Sequence, residues 1–418
     1  MALTHDDVMG LQREFPALLQ ELDGRPIAFF DGPGGTQVHG SVIEAMTRYY
    51  TEANSNAHGS FEFSRRTDEA VAEARATLAD FVGARRPDEI VFGPSMTALT
   101  FNVARTLGRT LSEGDEIVVT NLDHEGNVAP WMALRELGAV VRVIDFDPAD
   151  CTLDLAALRD AITERTRLVA IGAASNAVGT VNDIRRIAGW AHDAGAWLYV
   201  DAVQYAPHAA IDVEALDADF LACSAYKFYG PHLGVLWGRY DVLDRLPAFK
   251  VIPAGDSPPD KFEQGTGNFE AMAGAAAAVE YFASIGRRFG DAATADRRTA
   301  IDAGLREIQT YERGLAKHLI AGLQGISGLR IYGITDPARA DERVPVVSFT
   351  LEGQTSDAVA RQLGDEGLFV WDGDFYAVHV VDRLGLRGMG GLVRVGINHY
   401  NTTEEVDRLL EAIERMAR

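Results

Sequence analysis

Two short polar stretches carry the most pointed chemistry in this chain. Val200 leads into Asp201-Ala-Val-Gln204, and Cys223 leads into Ser224-Ala-Tyr226-Lys227. Each follows an apolar run that reads as a buried strand. The carboxylate and the amine stand 26 positions apart, 227 minus 201. With parallel strands, both side chains could face one crevice. A lysine desolvated there loses its charge near neutral pH, as a Schiff-base nucleophile must. An ordinary Asp–Lys ion pair at a sheet edge fits the same spacing, so the two residues alone leave both readings open.

The elements that must position them form an α/β pattern. Strands are expected at 89–92, 116–120, 140–144, 167–171, 197–200, 219–223 and 234–237, with helical stretches between them such as Val71, Ala74, Leu78 and Phe81. Short apolar strands alternating with helices imply a large domain with a mostly parallel sheet sandwiched by helices. In such sheets ligands bind beyond the carboxyl ends of the strands. After about residue 290 the rhythm changes. A long helix over 296–323, strands near 329–332, 346–351, 368–371 and 393–397, and helices near 356–363 and 403–416 read as a smaller C-terminal α+β domain. Thr402 with Glu405 reads as a capping box opening the last helix. The first twenty residues look helical through Val8, Leu11 and Phe15 and are expected to pack on the smaller unit. The expected division is a large domain over 25–285 and a small domain built from 1–24 and 286–418.

Bulk properties exclude several classes. A chain of 418 residues exceeds one ordinary hydrophobic core, and 47% hydrophobic with 24% charged residues is a folded composition. The net charge of −22 argues against nucleic acid, whose phosphates call for clustered Lys and Arg. Cys151 and Cys223 are too few for a disulfide framework and lack zinc-site spacing, which suits a reducing compartment. The N-terminus has no basic stretch followed by an apolar run, and no segment approaches the ~20 apolar residues of a membrane span. The expectation is a soluble cytoplasmic enzyme with neither nucleic-acid nor membrane partner. Asp-His-Glu over 123–125 lacks the His-Glu-x-x-His spacing of a metal site, so no metal is expected. The missing Gly-Lys-Ser/Thr rules out a nucleotide P-loop.

Three segments make the pattern specific: Ser-Ala-Tyr-Lys-Phe-Tyr-Gly-Pro-His over 224–232, Val-Asp-Ala-Val-Gln over 200–204, and Arg-Val-Gly-Ile-Asn-His-Tyr-Asn-Thr over 394–402. From about residue 25 to the C-terminus the chain resembles the class V aminotransferase family of fold type I pyridoxal 5′-phosphate (PLP) enzymes, and within it the cysteine desulfurase-like branch. The resemblance implies that Lys227 forms the Schiff base with PLP and then shuttles the substrate's α-proton. It implies that Asp201 pairs with the ring nitrogen and keeps it protonated, that Gln204 bonds the phenolic oxygen, and that His124 stacks on the ring and assists proton transfer. Asn176 falls near the ring oxygen and the substrate carboxylate. Ser95, Met96 and Thr97, at a helix N-terminus, join Ser224 and Tyr226 as the phosphate cup; many desulfurases have histidine where this chain has Tyr226. Thr266 matches a threonine that reaches the phosphate of the partner subunit's cofactor, which implies a homodimer. Arg394 would grip the substrate's α-carboxylate through two parallel hydrogen bonds; a surface salt bridge is its bland alternative. Gly32-Pro-Gly-Gly-Thr36 resembles a substrate-side loop, and His58 falls in a segment that closes the site in relatives.

The chain departs from the desulfurases at one position that matters. Those enzymes receive sulfur on a mobile-loop cysteine a short way before the carboxylate-binding arginine. Here the loop reads Trp371-Asp-Gly-Asp-Phe-Tyr376-Ala-Val-His379, and no cysteine follows Cys223. Trp371 replaces an arginine usual there. Cys223 reads as the inert end of a buried strand. The expected reaction on an amino acid, through an external aldimine and a Cα carbanion, is therefore lyase-type C–S cleavage or β-elimination without persulfide transfer. Transamination and epimerisation are the alternatives, followed by a catalytically silent PLP-binding relative. Trp371, Tyr376 and His399 are the residues expected to read the substrate side chain, with Tyr376 and His379 near its leaving group.

Overall fold

The computed structural model describes residues 3–418. Seven strands form the central sheet: β1 (Ile90–Gly93), β2 (Glu116–Thr120), β3 (Val140–Ile144), β4 (Thr166–Gly172), β5 (Trp197–Asp201), β6 (Phe220–Ser224) and β7 (Gly234–Gly238). Their spatial order is β1-β7-β6-β5-β4-β2-β3. β7 alone runs antiparallel to its neighbours; the other pairs are parallel. Alternate residues of one strand enter different cores. Leu198 and Val200 join the cluster on one face, and Tyr199 joins the cluster on the other. Val169 and Ile171 are divided in the same way from Leu168 and Ala170. Burial on both faces is why these strands read as continuous apolar runs.

The smaller sheet is antiparallel, in the order Leu329–Tyr332, Val346–Leu351, Leu392–Gly396, Trp371–Gly373. The helices Arg297–Gln324, Ser356–Asp365 and Thr403–Met416 cover it and share a core through Leu319, Leu323, Leu363, Leu409 and Ile413. The capping box at Thr402 is formed: Glu405 N–H donates to the Thr402 hydroxyl and Thr402 N–H to the Glu405 carboxylate, both at 3.2 Å.

Two expectations need correction. The apolar run 368–371 is not one strand. Leu368–Phe369 pairs in parallel with Ala28–Phe29, and Trp371–Gly373 pairs with Leu392–Gly396. The chain changes partners at Val370. The N-terminal helix is confined to His5–Gln12, and it does not rest on the smaller unit alone. Val8, Leu11 and Phe15 are buried in the core of the large sheet, while Gln12 donates to the Tyr400 carbonyl and the Glu405 carboxylate.

Candidate active site

The carboxyl ends of the parallel strands converge. Beyond β1, Ser95 caps the helix Met96–Gly108 by accepting from Ala98 N–H at 3.2 Å. Met96 N–H donates to the Ser224 hydroxyl at the end of β6, 3.1 Å away. That bond ties the helix N-terminus to the strand that delivers Lys227, in the turn Ala225–Lys227. His124 follows β2, Asn176 follows β4, and Asp201 is the last residue of β5. The smaller sheet brings Arg394 and Trp371 opposite each other. A cavity of about 1090 Å³ is lined by Lys227, Asp201, His124, Asn176, Gln204, Arg394, Trp371 and Tyr376, together with Ser95, Met96, Thr97, Ser224 and Tyr226.

Burial sets the electrostatics. Lys227 Nζ donates to the Pro33 carbonyl and, at 3.0 Å, to that of Gly34. Desolvation, aided by Arg394 and opposed by Asp201 and Asp31, pulls its pKa from 10.5 to about 7. Desolvation raises Asp201 to about 7 against the pull of the Val203 N–H bond and Lys227. His124 is pushed down to about 4, first by burial and then by Lys227 and Arg394. Its imidazole is therefore neutral near pH 7. Because Nδ1 accepts from Gly126 N–H at 2.9 Å, the proton sits on Nε2. Arg394 lies in a fully buried setting that draws it down to about 9; it donates to the Asn176 carbonyl at 3.0 Å, and its guanidinium carbon lies 4.0 Å from the Phe375 ring centroid.

Whether this donor set fits PLP can be tested on its unsatisfied atoms. Asn176 Oδ1, Gln204 Oε1 and Arg394 Nε are buried and have no hydrogen-bond partner among the described residues. Buried polar groups are seldom left so, and all three residues line the cavity. A helix N-terminus flanked by the hydroxyls of Ser95, Thr97 and Ser224 suits a phosphate, a near-neutral lysine suits an aldehyde, and a buried carboxylate suits a protonated ring nitrogen. The residues fit the cofactor.

Several expected residues are elsewhere. The Thr36 hydroxyl is committed to backbone, donating to the Tyr226 carbonyl at 3.1 Å and accepting from Tyr229 N–H at 2.8 Å. It fixes the Lys227 turn and does not line the cavity. His399 is wholly buried, its two ring nitrogens bonded to the Tyr229 and Tyr281 hydroxyls at 2.9 and 2.6 Å, so it cannot read a substrate. His58 is 91% exposed beside Asp68. His379 pairs with Glu125 at 3.1 Å, outside the cavity lining. Thr266, expected to serve the partner subunit's cofactor, is exposed and outside this chain's own lining. Other groups escaped the sequence. Behind Gln204, its Nε2 lies 3.1 Å from His208 Nε2, and His208 Nδ1 lies 2.8 Å from buried Glu312. Asp123, raised to about 8 by burial and by Asp201, accepts from Gly172 N–H at 2.6 Å. Asp31 is raised to about 6 by burial. Asp123 and Asp31 adjoin the His124 and Gly32 motifs and could have been flagged for that reason; Glu312 gave no signal.

The loop after Trp371 is fastened over the site. Asn176 Nδ2 donates to the Phe375 carbonyl at 2.9 Å, and Glu125 N–H donates to that of Tyr376 at 2.7 Å. The Tyr376 ring stacks on His124 with centroids 5.5 Å apart. Both Phe375 and Tyr376 have φ of 57°. Neither cysteine lines the cavity. Both are buried, and burial pushes the Cys151 thiol up to about 12 and raises that of Cys223 further.

Comparison with known proteins places this architecture. The family model described as "Aminotransferase class-V" matches residues 28–409. The chain is 33% identical to a probable cysteine desulfurase of Mycobacterium leprae, covering 98% of this chain and 65% of that protein. It is 34% identical to a cysteine desulfurase of Synechococcus elongatus, covering 98% and 64%. It thus spans less than two thirds of the length of these two relatives. A cysteine desulfurase of Dickeya dadantii, 31% identical, is covered over 98% of its length. Among solved structures, the apo cysteine desulfurase of Thermococcus onnurineus superposes with a TM-score of 0.87 at 29% identity, covering 100% of this chain and 99% of that one. An Escherichia coli cysteine desulfurase gives 0.82 at 27% identity, with 98% of each chain covered.

Proposed function

Because the chain belongs to the class V aminotransferase family, whose cofactor is PLP, we propose that it is a cysteine desulfurase-like lyase that breaks a C–S bond of an amino acid by β-elimination, with no persulfide carried on the protein. One observation carries this reading. A near-neutral Lys227 and a buried Arg394 share one cavity, whose covering loop has no thiol.

PLP, when bound, supplies an aldehyde that captures the substrate amine and a ring that accepts electron density from Cα. Ser95, Met96, Thr97, Ser224 and Tyr226 would hold its phosphate, Asp201 its ring nitrogen and Gln204 its phenolic oxygen. Arg394 and Asn176 hold the substrate carboxylate and thereby fix which Cα bond faces Lys227. Lys227 Nζ, its pKa drawn down to about 7 by burial, removes the Cα proton. His124 Nε2–H donates to the departing sulfur. The aromatic loop keeps water from the reacting atoms.

The unit over 25–285 supplies Lys227 and Asp201, and the remainder supplies Arg394 and the loop, so the site lies between two units. The protein acts as a homodimer in which Thr266 reaches the partner's cofactor. Support comes from the segment that precedes Thr266, where Phe249, Val251 and Ile252 are apolar and exposed, Ile252 to 97%; a second copy would cover them. Two free, buried thiols suit the cytoplasm.

Single-turnover assays on the PLP-loaded enzyme test the reaction. Pyruvate and a thiol or sulfide released in equal amounts support elimination. A pyridoxamine spectrum with a keto acid indicates transamination, and α-deuterium exchange with racemisation indicates epimerisation; either result overturns the lyase reading. Thr266→Ala loosens the cofactor on dialysis against phosphate without altering the far-UV circular dichroism.

A further inference from the structure

We propose that the substrate is an L-cysteine whose sulfur carries a flat, non-anionic group such as an aryl ring; this rests on the lyase reading and specifies its substrate class. The sulfur must leave to solvent, because both thiols of the chain are buried away from the cavity. A thioether meets that demand. The Cα–H is removed as a proton, the Cβ–S bond breaks with its electron pair on sulfur, and the thiolate takes up a proton. The remaining 2-aminoprop-2-enoate hydrolyses to pyruvate and ammonium. No oxidant or sulfur acceptor is required.

The walls select the sulfur substituent. Each anchoring group has an aromatic face against it. The Tyr226 ring centroid lies 4.7 Å from Lys227 Nζ, and a side chain at Gly34, whose carbonyl accepts from that amine, would collide with the Trp371 indole. The Phe375 ring covers the Arg394 guanidinium, and Tyr376 stacks on His124. At the mouth, Trp371 is 49% exposed and Tyr376 71% exposed, leaving apolar surface for a flat group to cover. At about 1090 Å³ the cavity is as large as sites that enclose a whole small molecule, which leaves room for a ring beyond Cα.

Charge rejects anionic substituents. Asp372 and Asp374 line the same mouth, and Arg387, the cation beside them, is already paired with Asp382 at 2.7 Å. A sulfinate or sulfonate would meet two carboxylates there, and Arg394 is taken by the α-carboxylate.

The experiment separates recognition from reaction. Homophenylalanine, the methylene analogue of S-phenylcysteine, has no leaving group; its binding to the PLP-loaded enzyme is read by tryptophan fluorescence and by the cofactor's absorption. It should bind at least about tenfold more tightly than L-alanine or cysteine sulfinate, and Trp371→Ala should remove about tenfold of that preference. Asp372→Asn should narrow the gap for the sulfinate. S-phenylcysteine should yield thiophenol and pyruvate in equal amounts. Homophenylalanine binding no more tightly than alanine, or preferred turnover of the sulfinate, overturns the assignment even if elimination occurs. Tight homophenylalanine binding with S-phenylcysteine left intact supports the recognition and overturns the lyase reading instead.

Discussion

Replacing Lys227 by methionine in the cofactor-free protein should stabilise it, by an amount that depends on pH. Each tenfold change in a protonation equilibrium corresponds to about 1.4 kcal/mol. A fall from 10.5 to about 7 therefore sets roughly 5 kcal/mol against the buried ammonium at and below pH 7. Because the folded value lies below the unfolded one, this amine's contribution to stability is complete above pH 10.5 and is lost as pH falls toward 7. Lys227→Met removes the penalty but also the hydrogen bonds to Pro33 and Gly34, together worth about 1–3 kcal/mol. The variant should be more stable than the parent by about 2–4 kcal/mol at pH 7, and the gain should shrink by roughly 2 kcal/mol at pH 9. Asp201 acts in the same sense. Without the lysine its carboxyl is harder to ionise, so the variant loses further stability as pH rises. Urea midpoints and slopes at the two pH values, followed by far-UV circular dichroism, provide the measurement. A gain equal at both pH values would mean that packing, not the buried charge, controls this site, and a loss at pH 7 would contradict the reasoning outright.

Thr36→Val should cost about 1–3 kcal/mol in urea unfolding, since it leaves Tyr229 N–H without its acceptor beside Lys227. His399→Phe should destabilise by about 2–4 kcal/mol, because the Tyr229 and Tyr281 hydroxyls lose their partners; relative KM values across an amino-acid panel should not change. Arg394→Lys should raise KM for every amino-acid substrate by roughly 10- to 100-fold, since an ammonium cannot grip a carboxylate through two parallel bonds. Steady-state kinetics check both.

The central sheet was legible because its inner strands are buried on both faces, so an apolar run such as 116–120 begins and ends where the strand does. The run 368–371 misled for the same reason. Apolarity continues through Val370 while the backbone turns from one sheet to another, and composition does not record a change of partner. Residues that directly follow strands, such as Asp201, His124 and Ser95, could be found from position alone. Glu312 could not. It sits in a long helix with many exposed polar residues, and its burial against His208, 104 positions away, follows from tertiary packing. His399 lies in the same motif as Arg394, five positions on, and proximity in sequence suggested a shared cavity; the two tyrosine hydroxyls claim it instead.

The consecutive left-handed residues Phe375 and Tyr376 bear on any attempt to convert this protein into a sulfur carrier. Non-glycine residues adopt that backbone at a cost of order 1 kcal/mol each, and only when their surroundings hold them. A thiol that ferries sulfur has to swing between the substrate and an outside recipient, and that journey needs slack. Here the span is clasped by four backbone and ring contacts. A cysteine grafted at Tyr376 would be moored in place, and restoring the missing trade would require loosening the clasp as well as changing the side chain.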